Sequence, residues 1–254
     1  CRIESKGNVD KSIVQGHDIE KVISRMVDMD LKKIHDTEKQ KLDELEHTLF
    51  RQIIGQSNAI MTVMQTIRRY TCGLHATNRP ICSMLFVGPT GVGKTHLCKL
   101  IAKEYYGNEN KCIRFDMSEY MEEFSVSTLI GSPPGYVGYT EGGKLTEAVK
   151  RNPCSVFLFD EIEKAHHDVL NLLLQILNDG ALTDSFGKTY SFKNTMIVMT
   201  SNSIGDKQHN RIGFSGHDDT LVAGQSKSIQ SRATTNTDAL KTAFRPEFLN
   251  RIDQ

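Results

Sequence analysis

The chain has 254 residues, of which 38% are hydrophobic and 24% charged, enough for one sizeable globular domain and a flanking segment. Its 31 basic residues balance 31 acidic ones at a pI near 7.2, so no global field recruits nucleic acid or an anionic membrane surface. No window approaches the roughly 18 apolar residues of a membrane span, and six cysteines without close pairs fit a soluble protein of a reducing compartment.

Residues 1–50 are polar and charged, but Leu42, Leu45 and Leu49 recur at helical spacing in KLDELEHTLF, which predicts a connector ending in an amphipathic helix. From Ser83 the pattern changes. SMLFV, KCIRF, SVFLF and NTMIVMT read as four short apolar strands. HLCKLIAKEYY and HHDVLNLLLQIL lie between them and read as helices, the second keeping Val169, Leu172, Leu173, Ile176 and Leu177 on one face. This alternation predicts an α/β domain with a parallel sheet between helices. LTDSFGKTYSF reads as a hairpin turning at Gly187, and 203–237, rich in Ser, Thr, Asn and Gly, as a polar surface insertion.

The segment GPTGVGKT, Gly88 to Thr95, fits the phosphate-binding template G-x-x-x-x-G-K-[ST] between a strand and a helix. Glycines at 88, 91 and 93 let backbone N–H groups surround phosphates, together with Pro89, Thr90 and Val92, at a helix N-terminus that favours negative charge. In this pattern Lys94 neutralises the β and γ phosphates of ATP, and the Thr95 hydroxyl is a ligand for Mg²⁺. The strand SVFLF runs into Asp160 and Glu161, two carboxylates at the sheet edge where open α/β sheets bind ligands. Asp160 suits Mg²⁺ and Glu161 suits polarising a water. Asn202, at the end of the next apolar strand, could reach the γ-phosphate or that water.

With these residues stand RQIIGQ, FDMSEYME, GSPPGYVGY, EGGKLTEAV, DEIEKAH and FRPEFLNRID, in this order along the chain. The set resembles the second AAA+ module of Clp-type unfoldases, closest to the ClpC branch of bacteria and plastids. The resemblance implies an AAA+ P-loop NTPase fold in which 51–254 form the large subdomain, with a C-terminal strand and small helical domain expected beyond it. It implies that Ile53 and Ile54 line the adenine pocket. Asn202 is then the first sensor, and Arg251 an arginine finger for the neighbouring subunit's ATP. Tyr136 and Val137 are implied as the pore loop gripping substrate, and Ile212, Gly213 and Phe214 as a tripeptide docking on a ClpP-type peptidase. Ala181 and Met26 depart from the family pattern, which often has Arg and usually has Trp at these places.

The implied activity is ATP-driven unfolding and threading of unfolded or tagged proteins through a homo-hexameric pore, in plastid stroma or bacterial cytoplasm. Nucleic acid and membrane are not among the implied partners. The alternatives are a ClpB-type disaggregase working without a protease, and a nucleotide-gated scaffold that does not hydrolyse ATP.

Overall fold

The structure, a computed structural model, describes residues 38–74, 76, 78–132, 135, 142–202, 240 and 243–253. Helices α1 (Glu38–Gln52) and α2 (Ser57–Thr71) precede strand β1 (Cys82–Val87) and helix α3 (Lys94–Tyr106). Then follow β2 (Cys112–Asp116), α4 (Ser125–Ile130), α5 (Lys144–Arg151), β3 (Val156–Asp160) and α6 (His167–Asp179). The short strands β4 (Ala181–Thr183) and β5 (Thr189–Ser191) lead to β6 (Met196–Ser201), and α7 (Pro246–Leu249) follows.

The four apolar strands read from the sequence form one parallel sheet in the order β1-β6-β3-β2. Successive strand residues point to opposite faces, and the packing follows that period. Val156 and Leu158 of β3, with Met196 and Val198 of β6, join a core built from α1, α2 and α3. Phe157 and Phe159, with Ile197 and Met199, join a second core built from α5 and α6. Both faces of the central strands β3 and β6 being covered is why these two read as continuous apolar runs, without polar alternation.

Leu42, Leu45 and Leu49 of α1 are buried against Ile60, Val63, Met64 and Ile67 of α2 and the apolar face of α3. Each such burial contributes about 1.5–3 kcal/mol, so α1 is held by this core. On the other face, Val169, Leu172, Leu173, Ile176 and Leu177 of α6 are all buried. Strands β4 and β5 pair antiparallel around Gly187, as the hairpin reading expected.

The hairpin also touches the base of the segment that carries Tyr136. Gly131 and Gly142 form an antiparallel bridge, and the Ser185 hydroxyl donates to the Ser132 carbonyl at 3.2 Å. At Gly143 a Cβ would lie 2.3 Å from the Leu129 carbonyl oxygen, so only glycine permits this close approach. Tyr136 and Val137 themselves lie outside the described residues, as do the segment 1–37 and Ile212, Gly213 and Phe214 of the insertion.

Candidate nucleotide site

Strand β1 ends at Val87, and residues 88–93 wrap the start of α3. Gly91 and Gly93 have φ of 83° and 94°, left-handed conformations that let the chain curl around an anion and aim N–H groups inward. Gly93 caps α3, whose first-turn N–H groups and dipole supply positive potential.

Lys94, the first residue of α3, turns its ammonium back into the site. It donates to the carbonyls of Gly88, Pro89 and Ser201 and to Asn202 Oδ1. Burial lowers its pKa below the ordinary value, and the carboxylates of Asp160, Glu163 and Glu161 act the other way. The amine therefore sits between backbone acceptors and a carboxylate cluster, a position that γ-phosphate oxygens can share.

Parallel pairing aligns the ends of β3 and β6, bringing Asp160, Glu161 and Asn202 beside Lys94. Asn202 Nδ2 donates to Glu161 Oε1 at 3.1 Å, so Lys94, Asn202 and Glu161 form one hydrogen-bonded chain. Glu161 has φ 57°. It is the one described non-glycine residue with positive φ, and such strain concentrates at functional sites. Its N–H is held by Thr200 Oγ1 at 3.1 Å, and the same hydroxyl donates to Asp160 Oδ1.

Sequence reasoning missed several members of this site. Arg114 of β2 pairs with Asp160 at 2.8 Å and with Asp116 at 3.0 Å. Its signal was a charge inside the apolar run KCIRF, two residues before Asp116 and hence on the same face of β2. Lys164 pairs with Glu161 at 2.6 Å, and the Glu163 carboxylate accepts the Asn202 N–H at 2.9 Å. One Glu163 oxygen is buried without a protein partner. Nothing in the local sequence marks Thr200, because its role depends on the β3–β6 register.

Two cavities meet at Gly93 and Lys94. One, of about 350 Å³, is polar and reaches Thr90, Thr95, His96, Arg114, Asp160 and Asn202. The other, of about 230 Å³, has apolar walls from Ile53, Val63, Met84, Val92 and Leu97. Joined in this way they fit a flat base and a chain of phosphates. Ile54 departs from expectation: the chain leaves α1 after Gln52, Ile53 packs inward, and Ile54 is 92% exposed away from the cavity. The hard oxygen donors of Thr95 and Asp160 also fit Mg²⁺, which prefers such ligands.

Arg251 is placed elsewhere. Its carbonyl accepts from the Ser83 hydroxyl at 3.2 Å, and the Asp253 carboxylate accepts the Ser83 N–H at 2.8 Å. Ser83 lies at the start of β1, roughly 16 Å along the strand from Gly88. Arg251 is exposed at the sheet end opposite its own phosphate site.

The family model that describes the AAA domain (Cdc48 subfamily) matches residues 79–254. The chain belongs to this family. It is accordingly a nucleotide-binding AAA module. It is 49% identical over its full length to chaperone protein ClpC1, chloroplastic, of Arabidopsis thaliana, covering 27% of that protein. It is also 49% identical, over 97% of its length, to the ATP-dependent Clp protease ATP-binding subunit ClpA homolog of Porphyra purpurea, covering 30% of it. Among solved structures, the closed state of Hsp104 with ATPγS and FITC-casein superposes with a TM-score of 0.75 at 38% identity, over 94% of this chain and 39% of that one. The chain thus spans about a quarter to a third of the curated relatives it matches. No described helix is long and apolar enough to cross a membrane.

Proposed function

We propose that this module hydrolyses ATP between adjacent copies in a hexameric ring and uses that energy to thread unfolded or tagged polypeptide through a central pore into a ClpP-type peptidase. The observation that carries this reading is the division of the catalytic set between opposite ends of the sheet. Lys94, Thr95, Asp160, Glu161 and Asn202 gather at one end, and Arg251 is displayed at the other. An arginine there cannot serve its own site, but a head-to-tail ring brings it to the neighbour's.

In this reading the apolar cavity beside Ile53 takes the adenine, and the N–H groups of residues 88–93 with Lys94 take the β and γ phosphates. Thr95 and Asp160 would hold Mg²⁺, which when bound would supply charge neutralisation on the phosphate oxygens. Glu161, oriented by Asn202 and Lys164, accepts a proton from the attacking water. Arg251 of the adjacent copy stabilises the charge that develops on the γ-phosphate. The Gly131–Gly142 bridge closes a segment whose Tyr136 and Val137 grip the threading chain through sequence-tolerant apolar contact.

The relatives' printed names, with chloroplastic location and Clp protease subunits among them, support a plastid location and a peptidase partner. Hsp104 bound to casein supports a polypeptide substrate and favours a second reading, disaggregation without a protease. A full-length protein carrying Phe214→Ala, given ATP, a degron-tagged fluorescent protein and ClpP peptidase, separates the two. Loss of peptide products with fluorescence loss retained supports docking through Ile212, Gly213 and Phe214. Unchanged degradation refutes the docking role, and unfolding by the wild type without any peptide formation replaces the first reading with the second.

A further inference from the structure

The two ends of the sheet carry opposite charge and exposed apolar anchors. We propose that Arg69 and Arg79 of one copy pair with Glu119 and Glu122 of the next, and that this contact sets the register that delivers Arg251 to its neighbour's phosphates. The inference rests on reading Arg251 as a finger that acts across the interface.

The cationic face surrounds a cavity of about 240 Å³ at the start of β1. Arg69 comes from α2, Arg79 and Ser83 from the entry to β1, and Asp253 from the chain beyond α7. The Asp253 carboxylate is engaged by the Ser83 N–H and hydroxyl at 2.8 and 2.7 Å. Among the described residues, neither Arg69 nor Arg79 makes an ion pair. Arg68, one position away on α2, pairs with Asp43 and Glu46 of α1. Leu74, lining the same cavity, is 78% exposed. Ser83 also holds the Arg251 carbonyl, so the cavity and the finger share one anchor.

The acidic face lies at the opposite end. The chain leaving β2 carries Glu119, Glu122 and Glu123, all exposed and without ion pairs among the described residues. Met121 and Phe124 sit among them, 57% and 80% exposed. This segment follows Arg114 and Asp116, and Arg114 lines the phosphate cavity. It therefore borders the half-site that awaits an arginine.

Exposed ion pairs contribute little, but guanidinium groups in a cavity closed by a docked surface gain from a carboxylate that replaces lost water. Apolar anchors on both faces, rimmed by opposite charges, give the composition of an interface centre with a polar surround. A contact between two different faces is head-to-tail, and such contacts close into rings when the rotation permits.

Sedimentation velocity of the full-length protein with ATPγS tests this. Arg79→Glu and Glu119→Arg are each expected to raise the concentration for half-assembly by about tenfold or more. Combining Arg79→Glu with Glu119→Arg, or with Glu122→Arg, restores assembly. Arg69→Glu, on an exposed helix surface, replaces Arg79→Glu if circular dichroism finds the latter unfolded. Wild-type assembly by the arginine variants, or failure of both charge swaps to rescue, overturns the proposal. Arg251→Ala is measured alongside and is expected to assemble but not hydrolyse ATP. Normal hydrolysis by that variant would sink the finger reading on its own, while the swaps still decide which faces meet.

Discussion

Thr200→Val tests whether the buried hydroxyl at the end of β6 builds the catalytic corner. Thr200 is fully buried, donates to Asp160 Oδ1 and accepts the Glu161 N–H at 3.1 Å. Valine keeps the volume and removes both bonds. A hydrogen bond to a charged group contributes about 1.5–3 kcal/mol and one to a backbone N–H about 0.5–1.5. Asp160 keeps its pair with Arg114 at 2.8 Å, so its carboxylate is not left bare. The expected loss is therefore about 2–4 kcal/mol. For a domain of this size that lowers Tm by roughly 5–15 °C. The chain has no Trp, so unfolding is followed by far-ultraviolet circular dichroism in urea. Thr200→Ser, which retains the hydroxyl and loses a methyl, is expected to cost only about 1 kcal/mol. The left-handed Glu161 backbone loses its tether in the valine variant, so ATP turnover falls further than stability alone requires. Equal stability and turnover in the valine and serine variants would refute the assignment of Thr200.

Glu161→Gln keeps an amide oxygen able to accept from Asn202 and loses the proton acceptor. Hydrolysis is expected to drop by roughly 10²–10⁴-fold, with the Kd for a fluorescent ATP analogue little changed. Lys94→Met removes the charge-assisted phosphate contacts and is expected to weaken nucleotide binding by about 10–150-fold, measured by the same titration. Phe157, fully buried between the stacked ring of Phe115 and that of Phe192, is expected to cost about 3–5 kcal/mol when replaced by Ala. The Cys112 thiol is pushed up to about 11 from its ordinary 9.0, chiefly by burial. Deep burial also raises the thiols of Cys82 and Cys98. The unfolded chain ionises these groups first, so stability is full below pH 9 and declines as pH rises toward 11. At pH 8 Cys112 should alkylate about tenfold more slowly than an ordinary thiol, the smaller thiolate fraction being partly offset by the greater nucleophilicity of the more basic thiolate, which timed mass spectrometry of iodoacetamide adducts measures.

The sequence by itself determined the α/β class, the four strands, the nucleotide loop and the strand-end carboxylates. Each is a local pattern: an apolar run of strand length, a 3.6-residue stripe, or glycines at the spacing a phosphate cradle needs. Lys94, Asp160, Glu161 and Asn202 were legible because the chemistry of each is announced by its immediate neighbours. Strand order was not legible, since apolar runs covered on both faces do not say which strand pairs with which. Only the register of β3 against β6 placed Thr200 under Asp160 and Glu161, and only the adjacency of β2 to β3 brought Arg114 to Asp160. Ile54 shows the same limit from the other side, because two adjacent isoleucines look alike in sequence and the path out of α1 packs one partly against the core and exposes the other. The position of Arg251 was likewise decided by a contact across 168 residues, from the Ser83 hydroxyl to its carbonyl, that no short-range pattern encodes. Local chemistry chose the residues, and long-range pairing in the sheet chose which of them share a site and which stand at its opposite end.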